Sequence, residues 1–213
     1  MKTINEDIKN GKIQFTTNCL SSNSNQFSRV STTSYESSQC DENVPKLKDK
    51  IDKNFAMKIF HFFLTTKNYV LPNSMVCKIL RKTKKMLDEN IKSSVIHIDM
   101  NTKSKDTKLI ILGDVHGQLN DVLWLFNRFG VPSANNIYVF NGDIADRGEN
   151  ATEIFLLLFI FKLCGYDSVI INRGNHECSY MNEVYGFYNE GITDSNYIYL
   201  SILYYLFVHV SLW

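Results

Sequence analysis

Gly113-Asp114-Val115-His116-Gly117, Gly142-Asp143-Ile144-Ala145-Asp146-Arg147-Gly148 and Gly174-Asn175-His176-Glu177 punctuate residues 109–177, and each block follows a short apolar run. Ile110-Ile111-Leu112 leads into the first, Ile137-Tyr138-Val139-Phe140 into the second and Val169-Ile170-Ile171 into the third. Runs of β-branched and aromatic residues closed by Gly, Asp and Asn read as buried strands that end in loops. In an open α/β sheet, ligands bind at the carboxyl ends of strands. Three such ends bring Asp, His, Asn and Arg side chains to one place.

The segments between the blocks read as helices. Leu119, Val122, Leu123, Phe126 and Phe129 recur at helical spacing, Gly130 follows as a C-terminal cap residue and Pro132 prevents continuation. Asn150 and Glu153 stand close to a capping-box arrangement ahead of a helix over 152–164. That helix is apolar nearly all round, so it is expected to be buried, and Gly165 ends it. Strand, loop and helix in repetition follow βαβ logic, which gives a parallel sheet.

Upstream, Leu47, Ile51, Phe55, Ile59, Phe62 and Phe63 share one face of a predicted helix, and Pro72 stops it. Ser74 reads as the N-cap of a second helix carrying Val76, Ile79, Leu80, Thr83 and Leu87 on one face. Its other face holds Lys78, Arg81, Lys82, Lys84 and Lys85. No aromatic stacking platform accompanies those cations, so they read as a solvated face and no nucleic-acid partner is expected. Val95-Ile96-His97-Ile98 reads as a short strand. His61 and His97 have no second ligand at metal spacing and read as structural. Residues 1–45 are rich in Ser, Asn and Thr, too polar to offset the entropy of ordering, and are expected to be disordered. The organisation is then a disordered 1–45, a helical lead-in over 46–100, the block-bearing region 101–189 and an apolar tail over 190–213.

The chain has 213 residues, enough for one sizeable core, with a net charge of +1 that implies no bulk attraction to nucleic acid or membrane. Five scattered Cys without paired spacing read as reduced thiols of a cytoplasmic or nuclear protein. The N-terminus has no apolar signal segment, and Lys2 rules out a myristoylation site. Asn150-Ala151-Thr152 matches a glycosylation sequon by chance on this reading.

The chemistry follows from the residue types. Asp114 and His116, two apart in a Gly-flanked loop, can hold one cation together. The carboxylate of Asp143 has two oxygens and can bridge two metals, while Asn175 offers an amide oxygen to the second. Nitrogen and oxygen ligands without thiolate suit Mn, Fe, Zn or Mg. A metal pair can activate water for in-line displacement at phosphorus. Arg147 can hold phosphate oxygens in a bidentate fork. His176 can serve as general acid, with Asp146 fixing its tautomer and favouring its protonated form.

These blocks, with Arg173 ahead of Gly174 and with Met181-Asn182 and Tyr185-Gly186-Phe187 downstream, resemble the phosphoprotein phosphatase family of metal-dependent serine/threonine phosphatases. The phosphatase 5 and EF-hand (retinal-degeneration) types are the most similar. The resemblance covers about residues 47–189. It implies a calcineurin-like metallophosphoesterase fold, an α/β protein whose β-sandwich is flanked by helices, here truncated. It implies two divalent ions of the Mn, Fe or Zn class, with Asp114 and His116 on the first, Asp143 bridging and Asn175 on the second. It further implies Arg147 on phosphate, His176 as acid paired with Asp146, and a phosphoprotein substrate. Calcium or calmodulin control would rest on segments beyond Trp213.

Two departures stand out. Ala145 occupies a position where the family usually has Val. The family also supplies two further metal-binding histidines and another phosphate-binding arginine, whereas here His209 is the only later histidine and no arginine follows Arg173. The stretch 197–213 just reaches the length of a membrane helix but lacks a basic flank and is crowded with Tyr, so it reads as a truncated or mis-spliced end and membrane association is not expected. Three functions compete: a serine/threonine phosphatase, a dinucleoside polyphosphate phosphoesterase, and a catalytically incomplete product that binds without turnover. Glu177 and the segment 181–187 argue against the second.

Overall fold

The computed structural model describes residues 44–47, 50–66, 71–90 and 95–191. The expected disorder of residues 1–45 concerns, apart from Val44 and Pro45, residues outside this set, as do the stretch 197–213 and His209.

Helix α1 spans Lys53–Thr65 and begins where Asp52 accepts a hydrogen bond from the Phe55 N–H at 2.8 Å. The apolar periodicity placed its start earlier, near Leu47. The Asp52 cap sets the later start, and Ile51 reaches the core from extended chain just before it. Helix α2 spans Asn73–Asn90, and the Pro72 carbonyl accepts the N–H groups of Met75 and Val76, so Ser74 lies inside the first turn and is not the cap. The face read from the sequence is the buried one, and its Thr83 hydroxyl donates to the Ile79 carbonyl at 3.0 Å. On the opposite face Lys84 pairs with Asp88 at 2.7 Å.

Residues 95–98 are not a strand. Val95 and Ile96 are exposed, and no rung of the sheet involves them. Periodicity over four residues cannot supply a neighbour to pair with.

Strands β1 (Lys108–Leu112), β2 (Asn136–Phe140) and β3 (Val169–Ile171) form one parallel sheet in the order β1-β2-β3. The register sets Ile110 beside Tyr138 and Leu112 beside Phe140, and Tyr138 beside Val169. Helix α3 (Leu119–Phe129) and helix α4 (Ala151–Cys164) make the two crossovers. Their apolar faces meet the sheet through Phe126, whose ring sits 4.8 Å from Tyr138 and 5.6 Å, at 90°, from Phe161. Phe129, read as part of the buried face of α3, is exposed and packs edge-on against Trp124.

Helix α4 is the centre of the packing, in contact with α1, α2, α3 and β3. Its residues Ile154 to Phe161 are all buried, and each such side chain contributes about 1.5–3 kcal/mol relative to exposure. The capping box read from the sequence does not form, because the Asn150 side chain makes no cap bond. One polar residue is sunk in this helix. Lys162 is 4% exposed, donates to the Val169 carbonyl at 2.6 Å, and is pushed down to about 8 by burial. Among the described residues there is one sheet, and the second sheet of a sandwich is not among them. On β1, Ile111 points away from the helices and is 68% exposed.

Helix α5 (Ser179–Tyr185) and the single turn α6 (Phe187–Gly191) follow the third block. Gly186, with φ 111°, makes the left-handed break between them.

Candidate metal and acid–base site

The three blocks converge because the loops continue the sheet. Asn141 N–H donates to the Leu112 carbonyl, and Asn172 N–H donates to the Phe140 carbonyl. The loop after β1 then rests on the loop after β2: Val115 and His116 N–H both donate to the Asp143 carbonyl, and Gly117 N–H to that of Ile144. The loops after β2 and β3 touch backbone to backbone. A Cβ on Gly142, whose φ is +97°, would lie 2.3 Å from the Gly174 nitrogen, which explains why both blocks open with glycine.

Four described non-glycine residues have positive φ: His116 (44°), Asp143 (50°), Asp146 (69°) and Arg147 (70°). All four are site candidates from the sequence. Left-handed backbone in such residues costs energy and persists only where surrounding bonds over-determine it.

Glu177 provides much of that determination. Its Oε2 accepts from Asp143 N–H at 2.8 Å and Gly174 N–H at 2.7 Å. Its Oε1 accepts from Ile144 N–H at 2.9 Å and Ala145 N–H at 3.0 Å. One buried carboxylate thus ties the second block to the third. Sequence reading assigned Glu177 no structural duty. The one available signal was a carboxylate three residues after Gly174, which does not say what it faces.

Asp114, His116 and Asp143 come together, one ligand atom from each lying within 4.8 Å of the others. His116 Nδ1 binds the Ala145 carbonyl at 2.9 Å. A carbonyl only accepts, so Nδ1 carries the hydrogen and Nε2 offers its lone pair beside Asp114 Oδ2, 3.8 Å away. An imidazole nitrogen with its tautomer fixed by a backbone carbonyl, flanked by two carboxylates, is a donor set that fits a divalent cation. The three residues form a candidate metal-binding triad.

His176 and Asp146 form the second cluster. His176 Nδ1 lies 2.9 Å from Asp146 Oδ2, with the side chains 3% and 0% exposed. Asp146 also accepts from Asn182 Nδ2 at 3.0 Å and from the Phe187 N–H at 3.0 Å. These two partners were not foreseen as part of the site. The His176 ring stands 4.8 Å from that of His116, edge-on, and 5.1 Å from Tyr185. The two clusters are joined through His176 N–H, which donates to Asp143 Oδ1 at 2.8 Å.

Asn175 and Arg147 are exposed. Asn175 immediately precedes the N–H bound to Asp143, and the Arg147 N–H donates to the Tyr185 carbonyl at 3.3 Å. No described helix is long and apolar enough to cross a membrane.

The family model described as calcineurin-like phosphoesterase matches residues 107–211, extending past residue 189, where the resemblance read from the sequence stopped. Serine/threonine-protein phosphatase T of Schizosaccharomyces pombe is 42% identical over 144 residues, covering 68% of this chain and 29% of that protein. Human serine/threonine-protein phosphatase 5 is 37% identical over 171 residues, covering 79% and 32%. A solved structure of a Saccharomyces cerevisiae serine/threonine phosphatase superposes with a TM-score of 0.61 at 33% identity, over 68% of this chain and 44% of that one. The chain spans about three-tenths of the length of the two curated relatives.

Proposed function

We propose, from the match of residues 107–211 to the calcineurin-like phosphoesterase family and the likeness to serine/threonine-protein phosphatases, that this chain carries the site of a metal-dependent protein serine/threonine phosphatase. The observation that carries the reading is the buried His176–Asp146 pair set beside the Asp114, His116 and Asp143 triad. Asp114, His116 and Asp143 would hold a first ion, and Asp143 with Asn175 would contribute to a second. When bound, ions of the Mn, Fe or Zn class supply Lewis acidity and lower the pKa of water.

The remaining steps belong to the side chains. Arg147, exposed at the edge of the second block, receives the phosphate of a phosphoprotein in a bidentate fork. Asp146 engages His176 Nδ1, leaving Nε2 to deliver a proton to the departing serine or threonine oxygen. An alkoxide is a poor leaving group, so this proton transfer contributes about 10²–10⁴-fold. The described cysteines Cys77, Cys164 and Cys178 are free thiols, which supports a reducing compartment, cytoplasm or nucleus.

The test is turnover by the purified chain with Mn²⁺, on a phosphoserine peptide and on diadenosine tetraphosphate side by side. Preference for the phosphopeptide, lost in Asp143→Asn, is expected. Preference for the dinucleotide overturns the substrate class. Phosphopeptide binding without turnover turns the reading to a non-catalytic product.

A further inference from the structure

We infer that Glu190, which touches neither the metal triad nor Arg147, is a positioning residue for His176: it caps helix α4 from a distance in sequence and so fixes α6, whose first N–H holds Asp146. The inference deepens the proposed phosphatase reading and rests on it for the role of His176.

Helix α4 lacks a side-chain cap of its own. Asn150 stands at the N-cap of α4 and makes no side-chain cap bond. The first four N–H groups of any helix need outside acceptors. Here the Thr152 N–H donates to Glu190 Oε1, a carboxyl 38 residues downstream. Glu190 lies in α6, a single turn of five residues. So short a helix does not hold itself, since nucleation outweighs one turn of hydrogen bonds. Two anchors fix α6 on α4: the Phe187 ring, 1% exposed and 5.9 Å from Phe155, and the Glu190 carboxyl.

What α6 then presents is the Phe187 N–H, 3.0 Å from Asp146 Oδ1. Asp146 in turn holds His176 Nδ1 on its other oxygen. The chain of contacts from Glu190 to the imidazole is therefore continuous, and it passes through a backbone N–H that only proline at position 187 would delete.

The surroundings of Glu190 say what kind of group is needed. The Oε2 atoms of Glu190 and Glu153 are buried with no hydrogen-bond partner among the described residues, as is the Thr152 hydroxyl. Burial pushes the Glu190 carboxyl up, and Glu153 and Asp146 face it with like charge. Burial likewise pushes Glu153 up to about 7. The cap bond uses one carboxyl oxygen as acceptor, and the amide oxygen of Gln can occupy the same place.

Amide hydrogen exchange of the full chain, without substrate, tests this. In Glu190→Ala the Phe187 and Thr152 amides are expected to exchange at least about tenfold faster, with Val139 and Phe140 in β2 unchanged. Glu190→Gln restores both to near the parent rate. In phosphopeptide hydrolysis Glu190→Ala lowers kcat about tenfold and leaves KM within about twofold, since the acid rather than the phosphate site is disturbed. Unaltered Phe187 protection in Glu190→Ala overturns the inference, as does a Gln variant as unprotected as the Ala one. Should the Ala variant not fold, loss of Phe187 protection in Glu190→Gln is itself the overturning result. The exchange readout needs no turnover, so a failed phosphatase reading and a failed clasp give different outcomes.

Discussion

His176 and Asp146 are sealed from solvent with three donors converging on one carboxylate, whereas the Asp114 side chain is 67% exposed and Asn175 and Arg147 also face outward. The two halves of the site are bonded together by a single N–H, yet they are supported differently. In the sealed half Asp146, His176 Nδ1 and Asn182 Nδ2 have exchanged water for named protein partners, while Asn182 Oδ1 is buried with none among the described residues. Removing one partner there leaves a buried group unpaired. In the open half the side chains of Asp114, Asn175 and Arg147 face water, so the fold depends on them less. Stability and function should therefore separate along this line.

The largest effect belongs to the residue that serves both halves. Glu177→Ala orphans four backbone N–H groups at about 1–3 kcal/mol each, against a total stability of about 5–15 kcal/mol for a domain. Loss of a cooperative urea transition is expected. A variant that unfolds with the parent's midpoint would falsify the assigned role of Glu177. Next comes Asp146→Ala, which strands His176 Nδ1, Asn182 Nδ2 and the Phe187 N–H, for a loss of about 3–5 kcal/mol in urea unfolding. A loss under about 1 kcal/mol would mean the sealed half is no better held than the open one.

Asp114→Asn sharpens the contrast from the other side. Its unfolding midpoint without metal should shift by less than about 0.5 kcal/mol, as for surface changes generally. Its Mn²⁺ affinity by calorimetry should fall at least about tenfold. Unchanged Mn²⁺ affinity removes Asp114 from the triad. The smallest effect is a slope. The Glu153 carboxyl is pushed from 4.5 to about 7 by burial, so between those values the folded chain keeps a proton that the unfolded chain has released. This contribution to stability is full below about pH 4.5 and declines as pH rises to about 7. Glu153→Gln should lose less Tm than the parent between pH 5 and pH 7.5, and parallel Tm profiles would remove Glu153 as the cause.

The strands, the crossover helices and the triad were legible because each is encoded locally. Alternating or continuous apolar runs mark β1, β2 and β3, and Gly-flanked Asp and His mark the loops at their ends. The helix starts were less legible, since the apolar face of α1 continues back to Leu47 while the Asp52 cap sets the boundary. The supports of the site were not legible at all. That Glu177 faces four N–H groups, that Phe187 offers its N–H to Asp146, and that Glu190 rather than Asn150 caps α4 all depend on which chain segments meet after crossover. Period and composition carry no information about such meetings. Lys162 was equally hidden, because the Val169 carbonyl that accepts from it is brought there by the crossover.

The bond from Glu177 back to Asp143, Ile144 and Ala145 also sets an order of events during synthesis. Chains emerge from the ribosome N-terminus first, at about 5–20 residues per second. Asp114, His116 and Asp143 are all added before Glu177. Until that residue appears, the left-handed turn at Asp143 lacks the acceptor that fixes its N–H. The candidate triad therefore acquires its geometry only once a residue later in the chain has been added.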